Sequence, residues 1–426
     1  MLDIRRLRAE PDEVKAALAK RDPSLIAAID RILYLDEERR EGLGVVNDLK
    51  AERNAASKKV GELKRAGGDA DELIARTRGL GDRIADLDES VRAVDAEIRE
   101  SLLATPNTPF EGVPAGGEEN NQILSAWGEP ASFTFEPKAH WDLGEDLDIL
   151  DMPRGAKITG SAFPVLKGQG AKLQRGLINY FLDVHTTEHG YDEVRVPYLV
   201  NRDSMIGTGQ LPKFHDEAYH SERDELYLIP TAEVPVTNLH RDELLSIEEM
   251  PILYTAYSPC FRREAGAAGK DTRGLLRVHQ FDKVELVRYE VPERSLEALE
   301  ELTRQAEVLL ERLGLHYRRL LLAAGDVGQS GCMTYDLEVW APGVGSWLEV
   351  SSCTTFTDYQ ARRVNLRFRR SQSEKPEFVH TLNGSALALP RVVAALLETY
   401  QEADGSVSLP EVLHPYVGSD RLTATR

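Results

Sequence analysis

The sequence predicts an α+β protein: an N-terminal antiparallel coiled-coil hairpin, followed by a domain built on a mostly antiparallel sheet flanked by helices. Three observations predict it. Apolar residues recur at steps of three and four in two neighbouring stretches of the first hundred residues. A Pro-, Gly- and Asn-rich stretch follows at 105–134. Beyond it, strand-type runs are broken by loops instead of alternating regularly with helices, which disfavours a parallel βαβ sheet. The 426 residues therefore divide into a helical part at 1–104, a linker at 105–134 and a main domain at 135–426.

In the hairpin, Leu80, Ile84, Leu87, Val91, Val94 and Ile98 mark one seam. Val46, Leu49, Ala56, Val60 and Leu63 mark the other, and Gly67 and Gly68 supply the reversal between them. An arm over 31–65 would reach ~50 Å at 1.5 Å per residue. Arg39, Gly42 and Arg53 fall on or beside its seam, so its base is expected to be weaker than an ideal coil. Residues 50–65 carry six bases (Lys50, Arg53, Lys58, Lys59, Lys64 and Arg65) against two acids, a charge suited to a phosphate backbone. Residues 80–100 carry seven acids and three bases and could neutralise them. On these patterns alone, a coil that joins subunits and a coil that binds nucleic acid both stay open.

Further along, 172–190 reads as a helix ending at glycine, and 191–197 as a short strand stopped by Pro197. Strands are expected at 252–258, 280–289, 336–340 and 346–351, and amphipathic helices at 296–313 and 389–400. The composition, 42% hydrophobic and 29% charged, is that of a soluble globular protein. No apolar run approaches the ~20 residues that span a bilayer, and the N-terminus lacks a signal-peptide core. A cytoplasmic protein is expected. Cys260, Cys332 and Cys353 stand too far apart for a disulfide framework or a CxxC zinc site, so no zinc is expected. The net charge of −19 excludes a uniformly basic coat but not a local basic surface.

Neither a GxxxxGK[ST] phosphate loop nor a GxGxxG that follows a strand is present. His185 and His189 stand four apart without the HExxH pattern and read as packing or surface residues. The densest candidate for chemistry is FRREAGAAGKDTRGLLRVHQFDKVE, from Phe261 to Glu285. Between Cys260 and Arg277 it has five bases (Arg262, Arg263, Lys270, Arg273 and Arg277) against two acids, in a Gly-rich loop between two strand-like runs. Such a loop can clasp a triphosphate or an RNA end.

This segment resembles the second signature motif of the class II aminoacyl-tRNA synthetases, in its seryl form. Other stretches agree in order. GYDEVRVP, ending at Pro197, resembles the first motif, which lies at the dimer interface in that class. Thr231-Ala232-Glu233 resembles the serine-binding TxE element. Glu349-Val350-Ser351-Ser352 resembles the strand that supplies metal and ATP ligands, and HTLNGSALALPR, ending at Arg391, resembles the third motif. The hairpin resembles the arm that these enzymes lay on tRNA.

The resemblance implies ATP-dependent attachment of L-serine to tRNA(Ser), and also to tRNA(Sec), through a seryl-adenylate, by a homodimer that uses Mg²⁺. It implies that Thr231, Ala232, Glu233, Arg262, Glu285, Asn383 and Ser385 hold serine. Glu233 and Thr231 would receive the ammonium, and Glu285 the hydroxyl. It implies that Arg262, Arg263, Glu264, Val278, Phe281, Glu349, Val350, Ser351, Ser352 and Arg391 border ATP. Glu264 would hold the adenine amino group, Phe281 stack on the ring, and Arg391 meet the γ-phosphate. Arg262 and Arg391 would be the catalytic cations, Glu349 and Ser352 the Mg²⁺ ligands, and the six arm bases the tRNA contacts. The chain departs from the family pattern at Thr105, Ala267, Lys270 and 386–390, where Pro390 directly precedes Arg391 and removes a backbone donor.

Overall fold

The computed structural model describes residues 1–264 and 273–424; Ala267 and Lys270 of the Gly-rich loop lie outside them. The chain forms two compact units, Leu2–Thr105 and Pro106–Arg426.

In the first unit, α1 (Leu25–Arg65) and α2 (Asp71–Ala104) pack along each other. The first helix has 41 residues, ~60 Å at 1.5 Å per residue, longer than expected because it begins at Leu25. Ile29, Ile32, Leu35, Val46, Leu49 and Ala56 are buried on it, as are Ile84, Val91, Ile98 and Leu102 on its partner. Leu80, Leu87, Val94 and Val60 are only half-buried, because two helices cover one stripe of each other, and Leu63 is exposed. At the base of the arm, two of the residues expected to weaken it make contacts between the helices. A Cβ at Gly42 would lie 2.9 Å from Val91 Cγ2, so the glycine lets the two helices close. Arg39 pairs with Asp95 at 3.0 Å and with the buried Asp36 at 3.3 Å; Asp36 also receives Arg8 at 2.6 Å and Arg40 at 3.2 Å. Arg39, expected to interrupt the seam, thus pairs across it, while Arg53 is half-buried.

The second unit carries an eight-stranded sheet. In chain order its strands are β1 (Gln122–Trp127), β2 (Asp192–Glu193), β3 (Ile252–Phe261), β4 (Gln280–Glu290), β5 (Tyr317–Leu321), β6 (Met333–Ala341), β7 (Ser346–Thr357) and β8 (His380–Ala388). Their spatial order is β1-β5-β6-β7-β8-β4-β3-β2, antiparallel throughout except for β2 beside β3. The segment 105–134, expected as a linker, therefore supplies an edge strand. All six residues of β1 are exposed, so no apolar alternation marks it in the sequence. Asn107 also pins this segment, donating to the carbonyls of Ser330 (3.0 Å) and Phe356 (2.8 Å).

Helices α3 (His140–Asp146), α4 (Gln169–Thr187), α5 (Glu233–Thr237), α6 (Ser295–Arg312) and α7 (Leu389–Thr399) complete the parts that position the site. Leu299 and Leu302 of α6 and Val392 and Leu396 of α7 share one apolar core with Leu286, Leu337, Val350 and Leu382 of the sheet. Gly384 makes the close approach possible, since a Cβ there would sit 2.2 Å from Leu302 Cδ2. Helices cover this face, and the other face carries the polar residues.

Candidate active site

Strands β3 and β4 form a hairpin whose register places Ala256 opposite Glu285, Ser258 opposite Lys283 and Cys260 opposite Phe281. Side chains alternate along a strand, so Phe281, Lys283 and Glu285 leave one face while Val284 and Leu286 enter the helix-covered core. Ser385 on β8 stands opposite Glu285. Over this face lie two adjoining cavities. The larger, about 730 Å³, is lined by Thr231, Glu233, Glu285, Ser352, Asn383 and Ser385. The smaller, about 220 Å³, is lined by Glu264, Val278, Phe281, Val350 and Arg391. Arg262, Lys283 and Glu349 border both. A third hollow of about 650 Å³ runs along α4 and shares only Phe281 with the predicted residues.

The larger cavity has an acidic floor. Thr231 Oγ1 accepts from the Glu233 backbone N–H at 3.2 Å. Gln360 Nε2 donates to Glu233 Oε1 at 2.7 Å, and Thr381 Oγ1 donates to Gln360 Oε1 at 2.7 Å. Burial, and then the nearby Glu285 charge, pushes Glu233 up to about 7, against the Gln360 hydrogen bond and the Lys283 and Arg262 charges. Lys283 forms a buried ion pair with Glu285, and the Glu285 oxygens otherwise lack a hydrogen-bond partner. Ala232 is wholly buried in the core and offers the cavity no side chain.

Arg262 leaves the end of β3 with its N–H on the His279 carbonyl (2.9 Å) and its guanidinium over the Phe281 ring, 5.2 Å from the centroid. It thus projects where the cavities meet. Arg263 points elsewhere, because neighbouring residues of an extended chain alternate in direction. Its guanidinium donates to the Asp216 carbonyl at 3.2 Å, and Arg263 lines neither cavity. Glu264 adopts a left-handed backbone, φ 49°, and accepts from Arg277 at 2.6 Å.

A β-bulge arranges the next group. Leu337 pairs with Ser351 and Glu338 with Glu349, leaving Val350 as the extra residue of β7. Strict alternation would separate Glu349 from Ser352; the bulge brings both to the cavity. Val350 and Ser351 are buried, and Ser351 Oγ donates to the Ser385 carbonyl at 2.5 Å, so the Ser351 side chain is turned away from the expected ATP position. Asp336 stands opposite Ser352 with Oδ1 unpartnered. Burial, then Glu349, holds its carboxyl well above the usual carboxylate range. Among the described residues no group of three or more His, Cys, Asp or Glu could hold a metal. Glu349 and Ser352 offer two hard oxygens that suit Mg²⁺ sharing its remaining ligands with substrate phosphates and water.

Pro390 occupies the first turn of α7, where its fixed φ and missing N–H cost nothing. Arg391 follows in the same turn, with Nε on the Leu276 carbonyl (3.1 Å) and Nη1 on the Glu349 carbonyl (2.8 Å). The proline at this position is compatible with the arginine's placement. Lys283, Asp336 and Gln360 escaped the sequence reading. The signal for Lys283 was a lysine two residues before Glu285, a spacing that puts both on one face of the strand. His185 and His189 are a packing pair, Nδ1 to Nδ1 at 2.9 Å, with burial pushing His185 down to about 3.

On the arm, Lys58, Lys59, Lys64 and Arg65 are exposed. Lys50 is paired with Asp88 at 3.1 Å and Arg53 is half-buried.

Comparison with known proteins sets first the class. Residues 214–400 match the family model of the tRNA synthetase class II core domain (G, H, P, S and T), and residues 1–109 that of the seryl-tRNA synthetase N-terminal domain. The serine--tRNA ligase of Geobacillus kaustophilus is 55% identical over 420 residues, 98% of this chain and 99% of its own. That of Carboxydothermus hydrogenoformans is 53% identical over 423 residues, 99% of each. A crystal structure of seryl-tRNA synthetase from Pyrococcus horikoshii complexed with ATP superposes with a TM-score of 0.95 at 39% identity, covering 100% of both chains. The cytoplasmic serine-tRNA ligase of Naegleria fowleri with AMP gives 0.90 at 28% identity, covering 100% of this chain and 99% of that one. The chain belongs to the seryl-tRNA synthetase family.

Proposed function

We propose that the chain attaches L-serine to tRNA(Ser), and to tRNA(Sec), by way of a seryl-adenylate. The observation that carries this reading is the pair of adjoining cavities with Arg262 between them: one floored by Glu233, Glu285 and Ser385, the other walled by Phe281, Glu264 and Arg391. Serine enters the first with its ammonium toward Glu233 and Thr231 and its hydroxyl toward Glu285, while Asn383 and Ser385 border it. ATP enters the second, with adenine on Phe281, its amino group at Glu264, and its γ-phosphate at Arg391.

The serine carboxylate then attacks the α-phosphorus, the bond to the bridging oxygen breaks, and pyrophosphate leaves. The terminal adenosine hydroxyl of tRNA attacks the seryl carbonyl and releases AMP. No side chain becomes covalently bound. Arg262 donates to the carboxylate and the α-phosphate together, as a planar guanidinium can. Positioning and charge neutralisation supply most of the acceleration. Glu349 and Ser352 would hold Mg²⁺, which would neutralise phosphate charge there.

Selectivity rests on Glu285. A site built for a hydroxyl rejects alanine, because the carboxylate then keeps only its Lys283 ion pair and loses the hydroxyl hydrogen bond, while exclusion of threonine by one methyl is worth only ~1–3 kcal/mol. The exposed bases at the arm tip would contact the tRNA backbone. The segment ending at Pro197 would form the homodimer interface, and the assembly would act in the cytoplasm; no described helix is long and apolar enough to cross a membrane. Incubation with labelled serine, ATP and a tRNA(Ser) transcript tests the reading. Label on the 3′ end of the RNA supports it, and no label under conditions where the adenylate forms contradicts the tRNA step.

A further inference from the structure

The return limb of the Gly-rich loop is held by a buried histidine outside all the family motifs. His140, at the start of α3, and Glu398, on α7, are both inaccessible to solvent. Glu398 Oε1 accepts from the His140 backbone N–H at 2.9 Å and lies 2.7 Å from His140 Nδ1. Its other oxygen accepts from the backbone N–H groups of Gly343 and Val344 at 2.8 and 3.0 Å, so the carboxylate is fully partnered. On the far side of the ring, the Leu275 backbone N–H lies 3.0 Å from His140 Nε2. A backbone N–H can only donate, so Nε2 accepts and the ring proton sits on Nδ1, facing Glu398.

Leu275 is next to Leu276, whose carbonyl accepts from Arg391 Nε at 3.1 Å. Arg391 and Glu398 stand two turns apart on the same helix. The contacts thus close a ring: Glu398 to His140, His140 to Leu275, Leu276 to Arg391, and back along α7. Gly274 is shaped for it. Its φ is +61°, and a Cβ there would lie 2.4 Å from His140 Nε2. None of these atoms lines the larger cavity, and Leu275 and Leu276 border the smaller one.

We propose that His140 is a positioning residue for the arginine that meets the pyrophosphate end of ATP. Through Leu275 and Leu276 it holds the acceptor carbonyl that aims the Arg391 guanidinium. This role rests on the proposed placement of the γ-phosphate at Arg391. It predicts a selective defect: ligands that carry the β- and γ-phosphates weaken, while serine and an adenylate mimic do not.

The test uses the full-length protein and ATP–pyrophosphate exchange, with calorimetric titration of a non-hydrolysable seryl-sulfamoyl adenosine. His140→Ala should raise KM for ATP and for pyrophosphate about tenfold, the scale of one lost buried hydrogen bond. KM for serine and the Kd of the sulfamoyl compound should stay within about twofold. Gly274→Ala, which leaves the buried pair in place but crowds Nε2, should show the same pattern if the alanine at 140 fails to fold. His140→Gln, whose amide oxygen can accept from Leu275, should recover most of the loss. Unchanged KM for ATP and pyrophosphate in both alanine variants, or an equal loss for every ligand, would overturn the role. If the unmutated protein shows no exchange, the proposed function fails, and this role with it.

Discussion

Lys283 and Glu285 stand two residues apart on β4, so both side chains leave the same face of the sheet and form a buried ion pair at the floor of the larger cavity. The lysine also borders the smaller cavity, which makes it the one buried cation shared by the two proposed substrate positions among the described lining residues.

Glu285→Ala is expected to remove serine activation while leaving ATP affinity within about twofold. It should also destabilise the fold by about 3–5 kcal/mol, because the buried lysine loses its partner. The double variant Lys283→Met, Glu285→Leu should regain stability without regaining activity. Thermal unfolding read beside exchange kinetics separates the two effects. A serine KM and turnover unchanged in Glu285→Ala would remove that residue from the pocket.

Glu233, pushed up to about 7, makes serine binding pH-dependent. The ammonium of serine needs a carboxylate partner, so binding should strengthen as pH rises through 7. KM for serine is expected to be about tenfold higher at pH 6 than at pH 8, with KM for ATP much flatter. The same raised value has a sign for stability. Its contribution is complete below the ordinary carboxyl value near 4.5 and is lost as pH rises through about 7, where the buried group must ionise. Glu233→Gln should flatten both profiles; a serine KM that stays pH-independent in the unmutated protein would contradict the assignment.

Deletion of residues 46–94, closed by a short Gly-Ser loop, is expected to spare adenylate formation and abolish tRNA charging. Reversing the exposed tip charges Lys58, Lys59, Lys64 and Arg65 should weaken tRNA and reduce the salt dependence of its binding. Charging that survives the deletion would make the hairpin structural.

Gly384→Ala is expected to cost about 1–3 kcal/mol, the range for overpacking a filled core, because the new methyl meets Leu302 and Cys353. Chemical denaturation measures it directly. A neutral effect would mean that α6 can retreat from the sheet without loss.

Much of this site was legible because its parts are local. Arg262, Glu264, Phe281 and Glu285 lie on one hairpin, but the sequence does not separate Arg262 from Arg263: both are expected to border ATP, and the structure turns the second guanidinium toward Asp216. The Val350 bulge was not legible, since nothing in Glu-Val-Ser-Ser says which residue will go unpaired, and it decides that Ser352 faces the cavity while Ser351 does not. Strand β1 was hidden for a different reason: it is held by backbone pairing with β5 and buries no side chain. At the arm's base, Arg39 and Gly42 looked like defects along a single seam. Only the partner helix, with Val91 and Asp95 beside them, turns them into contacts.

The measurement that tests the central claim most directly is amino-acid-dependent ATP–pyrophosphate exchange without tRNA, offered serine, threonine, alanine, glycine and cysteine in turn. Exchange with serine far above the other four is the predicted result, because only serine satisfies Glu285 without needing room for another methyl. Exchange led by a different amino acid, or none with any of them, would contradict it.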